Sequence, residues 1–300
     1  MTKRKNKKVT ANRNYKDTVF RKLFSDRRNL LSLYNAINGT AYTDETKLEI
    51  VTLENAIYMG MKNDLAFIID TNLFLYEHQS TYNPNMPLRD LFYTSSEYQK
   101  LVDRKSLYSS ILLKLPAPNF IVFYNGKRKM PDKWTNCLSE SYENQQGEPN
   151  LELKVVTINI NRDCNRKLME QCRILGEYAQ YVEKVRENAE TMSLDSAVKE
   201  AVDECIQKGI LADFLRVNRA EVIAMSIFEY DKEEEEQKLQ ATYEKIGEKR
   251  GIQIGEKQGE LKKAKSIAIS LAQEGESVER IARILGETEK TIKEWLAETH

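Results

Sequence analysis

Histidine is nearly absent from this chain of 300 residues, in which His78 and the terminal His300 are the two present. The four cysteines form no CxxC pair. Zinc sites in proteins are built mainly from cysteine and histidine at characteristic spacings, so the sequence argues against a zinc centre of that type. Scattered thiols of this kind are typical of reduced cytoplasmic proteins.

Long apolar runs are also missing. No stretch of 18 apolar residues occurs, and the basic start of the chain does not lead into an apolar segment. We therefore expect neither a membrane span nor a secretion signal, and we expect a cytoplasmic location.

An excess of charge of one sign is lacking as well, because 46 lysines and arginines balance 46 aspartates and glutamates. Any contact with nucleic acid therefore needs a local basic patch. Residues 1–40 hold eleven lysines and arginines against Asp17 and Asp26. Residues 1–14 are predicted to be a disordered basic tail, which either contacts phosphate or serves only solubility.

The predicted elements follow the order helix, three strands, helix, two strands and then a helical half. Hydrophobic spacing predicts a first helix at 14–38, which Asn38-Gly39 ends, and a second helix from Pro87 to about residue 102. Strands are predicted at 48–53, 64–69, 73–79, 119–124 and 151–160. Residues 127–150 are predicted to form a long polar loop. The order indicates an α/β core at 15–165 with a mixed central sheet of four strands, flanked by helices and embellished by the strand at 151–160.

The second half of the chain is predicted to be a C-terminal helical extension. Helices are predicted at 166–188, 194–207, 210–217 and 219–230, which together form a helical subdomain, and a charged helix is predicted at 231–265. In that last helix Gly247, Gly251, Gly255 and Gly259 recur every four residues, which indicates either self-association or a weak linker helix.

Residues 266–300 have the spacing of a helix-turn-helix. Ser277 is a suitable N-cap, Gly286 makes a turn, and Thr288 is a second cap. Such a segment serves either as a DNA reader or as a protein-binding module. Its last helix is nearly neutral, which argues against strong contact with phosphates.

Two hydrophobic strands carry the polar residues that suggest chemistry. Asp64 begins the strand 64–69, and Glu77 and Gln79 lie near the end of the strand 73–79. Side chains alternate along a strand, so Glu77 and Gln79 are predicted to share one face and His78 the other. If the strands pair as a hairpin, Asp64 lies beside Glu77, and two carboxylates there would bind a hard cation such as Mg²⁺. The alternative is that these are solvated groups at strand ends.

Four segments of the sequence have a recognisable pattern. They are KDTVFRKLFSD at 16–26, TLENAIYMGMKNDLAFII at 52–69, LYEHQSTYNPNMPLRDLFY at 75–93 and LPAPNFIVFYNG at 115–126. The pattern resembles the Rpn family of recombination-promoting nucleases and transposases, which belongs to the PD-(D/E)XK nuclease superfamily. The similarity extends to about Tyr230. It implies a restriction-endonuclease-like core.

The resemblance also implies roles for single residues. Asp64 and Glu77 would be metal ligands, and the main-chain carbonyl of His78 would complete the metal site. Gln79 stands where the superfamily has lysine, and it would offer a neutral donor and acceptor instead of a positive charge.

Three other residues have roles that the resemblance leaves open. Arg89 and Tyr93 lie four residues apart on one helix face and would bind the substrate. Arg89 would either clamp a phosphate or form a salt bridge to Glu77 or Asp90. Asp17 would either face the metal or act as a solvated acid of the first helical turn.

The function implied is hydrolysis of DNA phosphodiester bonds by an endonuclease that requires Mg²⁺, with Mn²⁺ as a substitute, in prokaryotic recombination, mobile-element or defence biology. DNA would be the partner, and the C-terminal helices would form a homo-oligomer. The alternative is a catalytically weak or inactive protein that keeps the nuclease fold, binds DNA or another partner, and oligomerises through its C-terminal segment.

Overall fold

The computed structural model describes residues 18–51 and 64–297. The basic tail at 1–14, Asp17 and His300 lie outside these residues. So do positions 52–63, which include the last two positions of the strand predicted at 48–53 and most of the segment 52–69. Within the described residues, none of the helices combines the length and the hydropathy that a membrane crossing requires.

The first helical segment is divided in two, whereas the sequence predicted one helix. Helix α1 is Val19–Phe24 and helix α2 is Arg27–Asn38. The division occurs because the Asp26 side chain accepts hydrogen bonds from the backbone N–H groups of Arg28 and Asn29, which begins a new helix there. Gly39, with φ of 65°, ends α2 as predicted.

A mixed sheet of six strands forms the centre of the fold, where the sequence predicted four. The strands are β1 (Glu49–Ile50), β2 (Leu65–Ile69), β3 (Asn72–Gln79), β4 (Ala117–Tyr124), β5 (Lys133–Cys137) and β6 (Lys154–Asn159). Their order in the sheet is β1-β2-β3-β4-β6-β5. Strands β3, β4 and β6 run parallel to one another, and the other pairings are antiparallel. An α/β fold with a mixed sheet flanked by helices is therefore confirmed.

Strand β5 corrects the prediction of a polar loop at 127–150. It is an edge strand that pairs only with β6 among the described strands, with Trp134 opposite Thr157. Its residues are mostly polar and only Asn136 is fully buried, so the sequence shows no apolar alternation there. Pairing with β6, rather than burial of side chains, stabilises this strand.

Helices cover both faces of the sheet. One face packs against α1, α2 and a C-terminal group of helices in a large core that includes Phe20, Phe67 and Phe123. The other face packs against α3 (Met86–Leu101), around the smaller apolar cluster of Leu73, Leu75 and their neighbours.

The C-terminal helices have other bounds than predicted. They are α4 (Arg166–Gln171), α5 (Arg173–Ala189), α6 (Leu194–Lys208), α7 (Ala212–Gln273), α8 (Val278–Leu285) and α9 (Glu289–Ala297). The helix predicted at 166–188 is interrupted at Cys172, whose ψ of 82° is not helical. The helices predicted at 210–217, 219–230 and 231–265 form one helix with a kink at Asn218, where φ is −110° and ψ is 18°.

The chain divides into two compact units, at 1–234 and 235–300. The second unit has its own small core, to which Ala268, Ile281, Ile292 and Trp295 contribute. The predicted caps are confirmed, because the hydroxyls of Ser277 and Thr288 accept from backbone N–H groups three residues later, and Gly286 has a positive φ of 70°.

Candidate active site

Asp64 lies directly before β2 and contacts the end of β3. Its Oδ2 accepts a hydrogen bond of 2.8 Å from the backbone N–H of His78. The contact follows from the hairpin, in which Leu65 lies opposite Tyr76, so the next position towards the open end of β2 faces Glu77. The structure thus brings Asp64 to the strand segment that carries Glu77, His78 and Gln79, as the sequence predicted.

Glu77 points towards α3 and is 5% exposed. Its Oε1 forms a salt bridge of 2.5 Å with Nη2 of Arg89. The same guanidinium nitrogen donates to the hydroxyl of Tyr93 at 3.0 Å. Of the roles weighed for Arg89, a salt bridge to Glu77 is present in this structure, and Tyr93 supports the guanidinium from the next turn of α3.

The electrostatics of this pair favour a charged Arg89. Burial opposes the charge of Arg89, but the neighbouring Glu77 carboxylate holds the pKa of Arg89 above its ordinary value. Burial, together with the negative charge of Glu77, raises the pKa of Tyr93 to about 12, so its phenol stays protonated at neutral pH.

Gln79 lies on the same face as Glu77. Its side-chain amide contacts the sulfur of Met86, the first residue of α3, and the guanidinium of Arg89 lies 3.5 Å from the same sulfur. Gln79 and Arg89 are therefore held together at the carboxyl end of β3, where α3 begins.

His78 points to the opposite face, as the alternation predicted. Its ring stacks on Phe20 with 5.1 Å between centroids, and its Nε2 lies 3.1 Å from the hydroxyl of Tyr178. Burial first, and then the charge of Arg186, lower the pKa of His78 to about 3, although Asn125 opposes this shift. The ring is therefore neutral at physiological pH. It packs in the core on one face of the sheet, while the backbone N–H of His78 donates to Asp64.

Sequence reasoning missed two buried acids on α3. Asp90 and Glu97 are 2% and 1% exposed, and Thr94 between them is also buried. Burial first, and then the charge of Glu77, hold the pKa of Asp90 well above its ordinary value. Their spacing of four and three residues along α3 places them on one helix face, and that spacing is the signal that could have found them.

The oxygen atoms at this site are of the kind that a hard cation such as Mg²⁺ takes as ligands. Asp64 and Glu77 supply carboxylate oxygens. The main-chain groups of successive strand residues point to opposite edges of the strand. The carbonyl of Gln79 accepts from Asn125 on the β4 side, so the main-chain groups of His78 point to the other side, where Asp64 lies. Within residues 18–51 and 64–297, no three side chains of histidine, cysteine, aspartate or glutamate are grouped to hold a metal. A cation here would need main-chain or water oxygens beside the two carboxylates.

Comparison with known proteins adds no relative. No protein-family model matches the chain, and neither a curated protein nor a solved structure is similar to it.

Proposed function

We propose that this chain is a Mg²⁺-dependent DNA endonuclease of the PD-(D/E)XK kind, with Asp64, Glu77 and Gln79 in its active site. The observation that carries the proposal is the hydrogen bond from the His78 N–H to Asp64. It joins the two strands at the point where Glu77 and Gln79 point to one face, so an acid from each strand belongs to one site.

The arrangement of elements supports the same proposal. The chain runs helix, β1, β2, β3, α3, β4, and these four strands are neighbours in that order, with β3 and β4 parallel. This is the order in which the sequence resemblance leads us to expect a PD-(D/E)XK site to be built. The pair of acids lies at the carboxyl end of β3, an edge at which sheets with parallel strands commonly bind ligands.

Each site residue has a chemical task under this proposal. Asp64, Glu77 and the carbonyl of His78 would hold Mg²⁺, which supplies charge to stabilise the phosphate as water attacks phosphorus. Gln79 can accept from and donate to that water, which orients it. Arg89 would stabilise the negative charge on the phosphate oxygens, and Tyr93 holds its guanidinium in position.

The salt bridge of Glu77 to Arg89 favours the alternative function. A guanidinium at 2.5 Å from a carboxylate oxygen competes with a metal for that carboxylate. A chain in which this pair persists would bind DNA or another partner without cleaving it. The two functions make opposite forecasts for metal-dependent cleavage.

Nicking of supercoiled plasmid decides between them. We expect cleavage with Mg²⁺ or Mn²⁺, little with Ca²⁺, and none in excess EDTA. Asp64→Asn and Glu77→Ala should lower the rate by roughly 100-fold or more, because each removes a charge that stabilises the transition state. Thermal melting should be nearly unchanged for Asp64→Asn, whose amide oxygen can still accept from the His78 N–H, whereas Glu77→Ala leaves the buried Arg89 guanidinium without its partner and should lower the melting temperature.

The matched control is Asp70→Asn. Asp70 lies at the other end of the same hairpin, where it has a φ of 47° and contacts the hydroxyl of Tyr42. Asparagine tolerates that backbone conformation, so the variant should fold and cleave like the wild type. Full activity in EDTA, or wild-type rates for both site variants, would show that this is not a metal-dependent active site.

The second unit is proposed to form a homo-oligomer. Leu239, Tyr243 and Ile246 follow one another on α7 at helical spacing, and they are 55%, 65% and 42% exposed. Apart from the adjoining residues and the backbone of the same helix, no atom lies within 4 Å of where a Cβ would stand on Gly247 or Gly251, so the described part of the chain gives no reason for these glycines. A second copy would supply one. Light scattering of the full chain tests this, and a monomeric mass would contradict it.

A further inference from the structure

A run of positive charge follows β4. Lys127, Arg128 and Lys129 come directly after Gly126, and all three side chains are exposed, as is Lys133 at the start of β5. Asp132 is the one acid between Gly126 and Lys133. Among the described residues none of these four basic side chains forms a salt bridge. We call residues 126–129 the basic loop.

The basic loop is fixed beside the candidate active site. The N–H of Asn125 donates to the carbonyl of Gln79 at 3.0 Å, so the loop leaves the sheet next to the strand that carries the site. A Cβ on Gly126 would stand 2.2 Å from the carbonyl oxygen of Ser80, a distance that no real side chain tolerates. The hydroxyl of Tyr124 donates to the carbonyl of Arg128 at 2.9 Å. Glycine and these bonds together hold the loop against the chain that follows Gln79.

Aromatic rings accompany the positive charges. The guanidinium of Arg128 lies 5.7 Å from the ring centroid of Tyr82, and the Tyr82 ring lies 6.3 Å from that of Trp134. Both rings are partly exposed. The indole N–H of Trp134 donates to Asn136 at 3.1 Å, which fixes its orientation. Exposed cations that neutralise phosphates, beside aromatic rings that contact sugars and bases, are the combination by which proteins bind nucleic acid.

We propose that the basic loop, with Tyr82 and Trp134, is the surface that binds the sugar-phosphate backbone of DNA next to the site of Asp64 and Glu77. The proposal rests on the function proposed above and extends it to the place where the substrate is held. The chain has no net charge, so the affinity for a polyanion must come from a local surface. The basic loop, together with the following residues up to Lys133, has four basic residues against the single acid Asp132, which is a net charge of +3.

The experiment measures DNA binding without metal, so that cleavage plays no part. Fluorescence anisotropy of a labelled duplex is recorded in EDTA at several NaCl concentrations. The test variant is Lys127→Gln, Arg128→Gln, Lys129→Gln. The slope of log affinity against log salt should become shallower by about 2.7, since each lost phosphate contact removes about 0.9.

The matched control removes three exposed charges elsewhere, as Arg104→Gln, Lys105→Gln, Lys114→Gln. These residues precede β4, whose first residue Ala117 pairs with Asn72 at the other end of β3 from Gln79. The control should keep the wild-type slope. Equal slopes for the two triple variants would overturn the proposal.

Trp134 provides a second measurement in the unaltered protein. Duplex DNA should quench its fluorescence, high salt should reverse the quenching, and Trp134→Phe should remove the signal, since Trp295 is the other tryptophan. No change in the wild-type spectrum under saturating DNA would also overturn the proposal.

The outcomes distinguish this surface from the proposed chemistry. If cleavage depends on Asp64 but the basic-loop variant has the wild-type slope, the proposed DNA-binding surface is wrong and the nuclease proposal stands. If the basic-loop variant has a shallower slope but the wild type does not cleave DNA, the proposed DNA-binding surface stands and the nuclease proposal is wrong. Absence of DNA binding by the wild type in EDTA overturns the proposed surface, and plasmid nicking with Mg²⁺ then decides the nuclease by itself.

Discussion

The two faces of the central sheet are built from different side chains. The face covered by α1, α2 and the C-terminal helices buries aromatic rings, and Phe20, Phe67 and Phe123 are each 0% exposed. The face covered by α3 has a smaller apolar cluster and buries the acids Glu77, Asp90 and Glu97. Burial of an acid lowers the stability of the folded chain, whereas burial of an aromatic ring raises it. The aromatic face therefore stabilises the fold. The α3 face buries acids at a cost in stability, as functional sites commonly do.

The largest expected difference between the faces is in stability. Phe123→Ala should lower the free energy of unfolding by about 3–5 kcal/mol, because it leaves a cavity among packed rings. Thr94→Val should change it little or raise it, since the Thr94 hydroxyl is buried without a hydrogen-bond partner among the described residues. Denaturant unfolding of both variants measures this. A similar loss for the two would contradict the comparison.

His78 should give the aromatic face a sensitivity to acid. Its pKa is about 3 in the folded chain and 6.5 ordinarily, so the unfolded chain takes up a proton below pH 6.5 that the folded chain does not bind until about pH 3. The folded state is therefore destabilised as the pH falls through that window. From pH 7 to pH 5 the loss attributable to His78 is about 2 kcal/mol.

Unfolding of His78→Phe at the two pH values checks this expectation. The variant loses the hydrogen bond to Tyr178, which costs about 1 kcal/mol at pH 7. Relative to the wild type it should gain about 2 kcal/mol between pH 7 and pH 5, because phenylalanine does not titrate. A constant difference between variant and wild type would mean that His78 titrates normally in the folded chain.

The parts of the site that lie along one hairpin could be predicted from the sequence. Alternation along β3 places Glu77 and Gln79 on one face and His78 on the other, and the short turn at Asp70 and Thr71 brings Asp64 to them. These are local consequences of strand geometry and need no knowledge of the rest of the fold.

Features that depend on distant partners could not be predicted. Strand β5 shows no apolar alternation and forms because β6 offers it hydrogen bonds. The burial of Asp90 and Glu97 depends on α3 lying on the sheet, and charged residues at such positions are usually read as solvated. The break before α2 could have been predicted, because Asp26 is a good N-cap. The continuous hydrophobic spacing of Leu23, Leu30 and Leu31 favoured a single helix instead.

Asp90 on the α3 face should respond to pH with the sign opposite to that of His78. Burial and the charge of Glu77 raise its pKa above the ordinary value of 3.8. The unfolded chain releases this proton above about pH 4, while the folded chain keeps it. Below pH 4 the difference in the pKa of Asp90 between the folded and the unfolded chain costs the wild type no stability. The folded wild type loses stability as the pH rises from about 4 towards the pKa of Asp90 in the folded chain.

Asp90→Asn isolates this contribution, because asparagine is neutral at every pH and nearly the same size. Its melting temperature relative to the wild type should therefore rise between pH 4 and pH 7. The charge of Arg89 partly offsets this rise in the pKa of Asp90. Asp213→Asn, whose side chain is fully exposed, is the control and should follow the wild type at both pH values. If Asp90→Asn also followed the wild type, Asp90 would be ionised in the folded chain in spite of its burial.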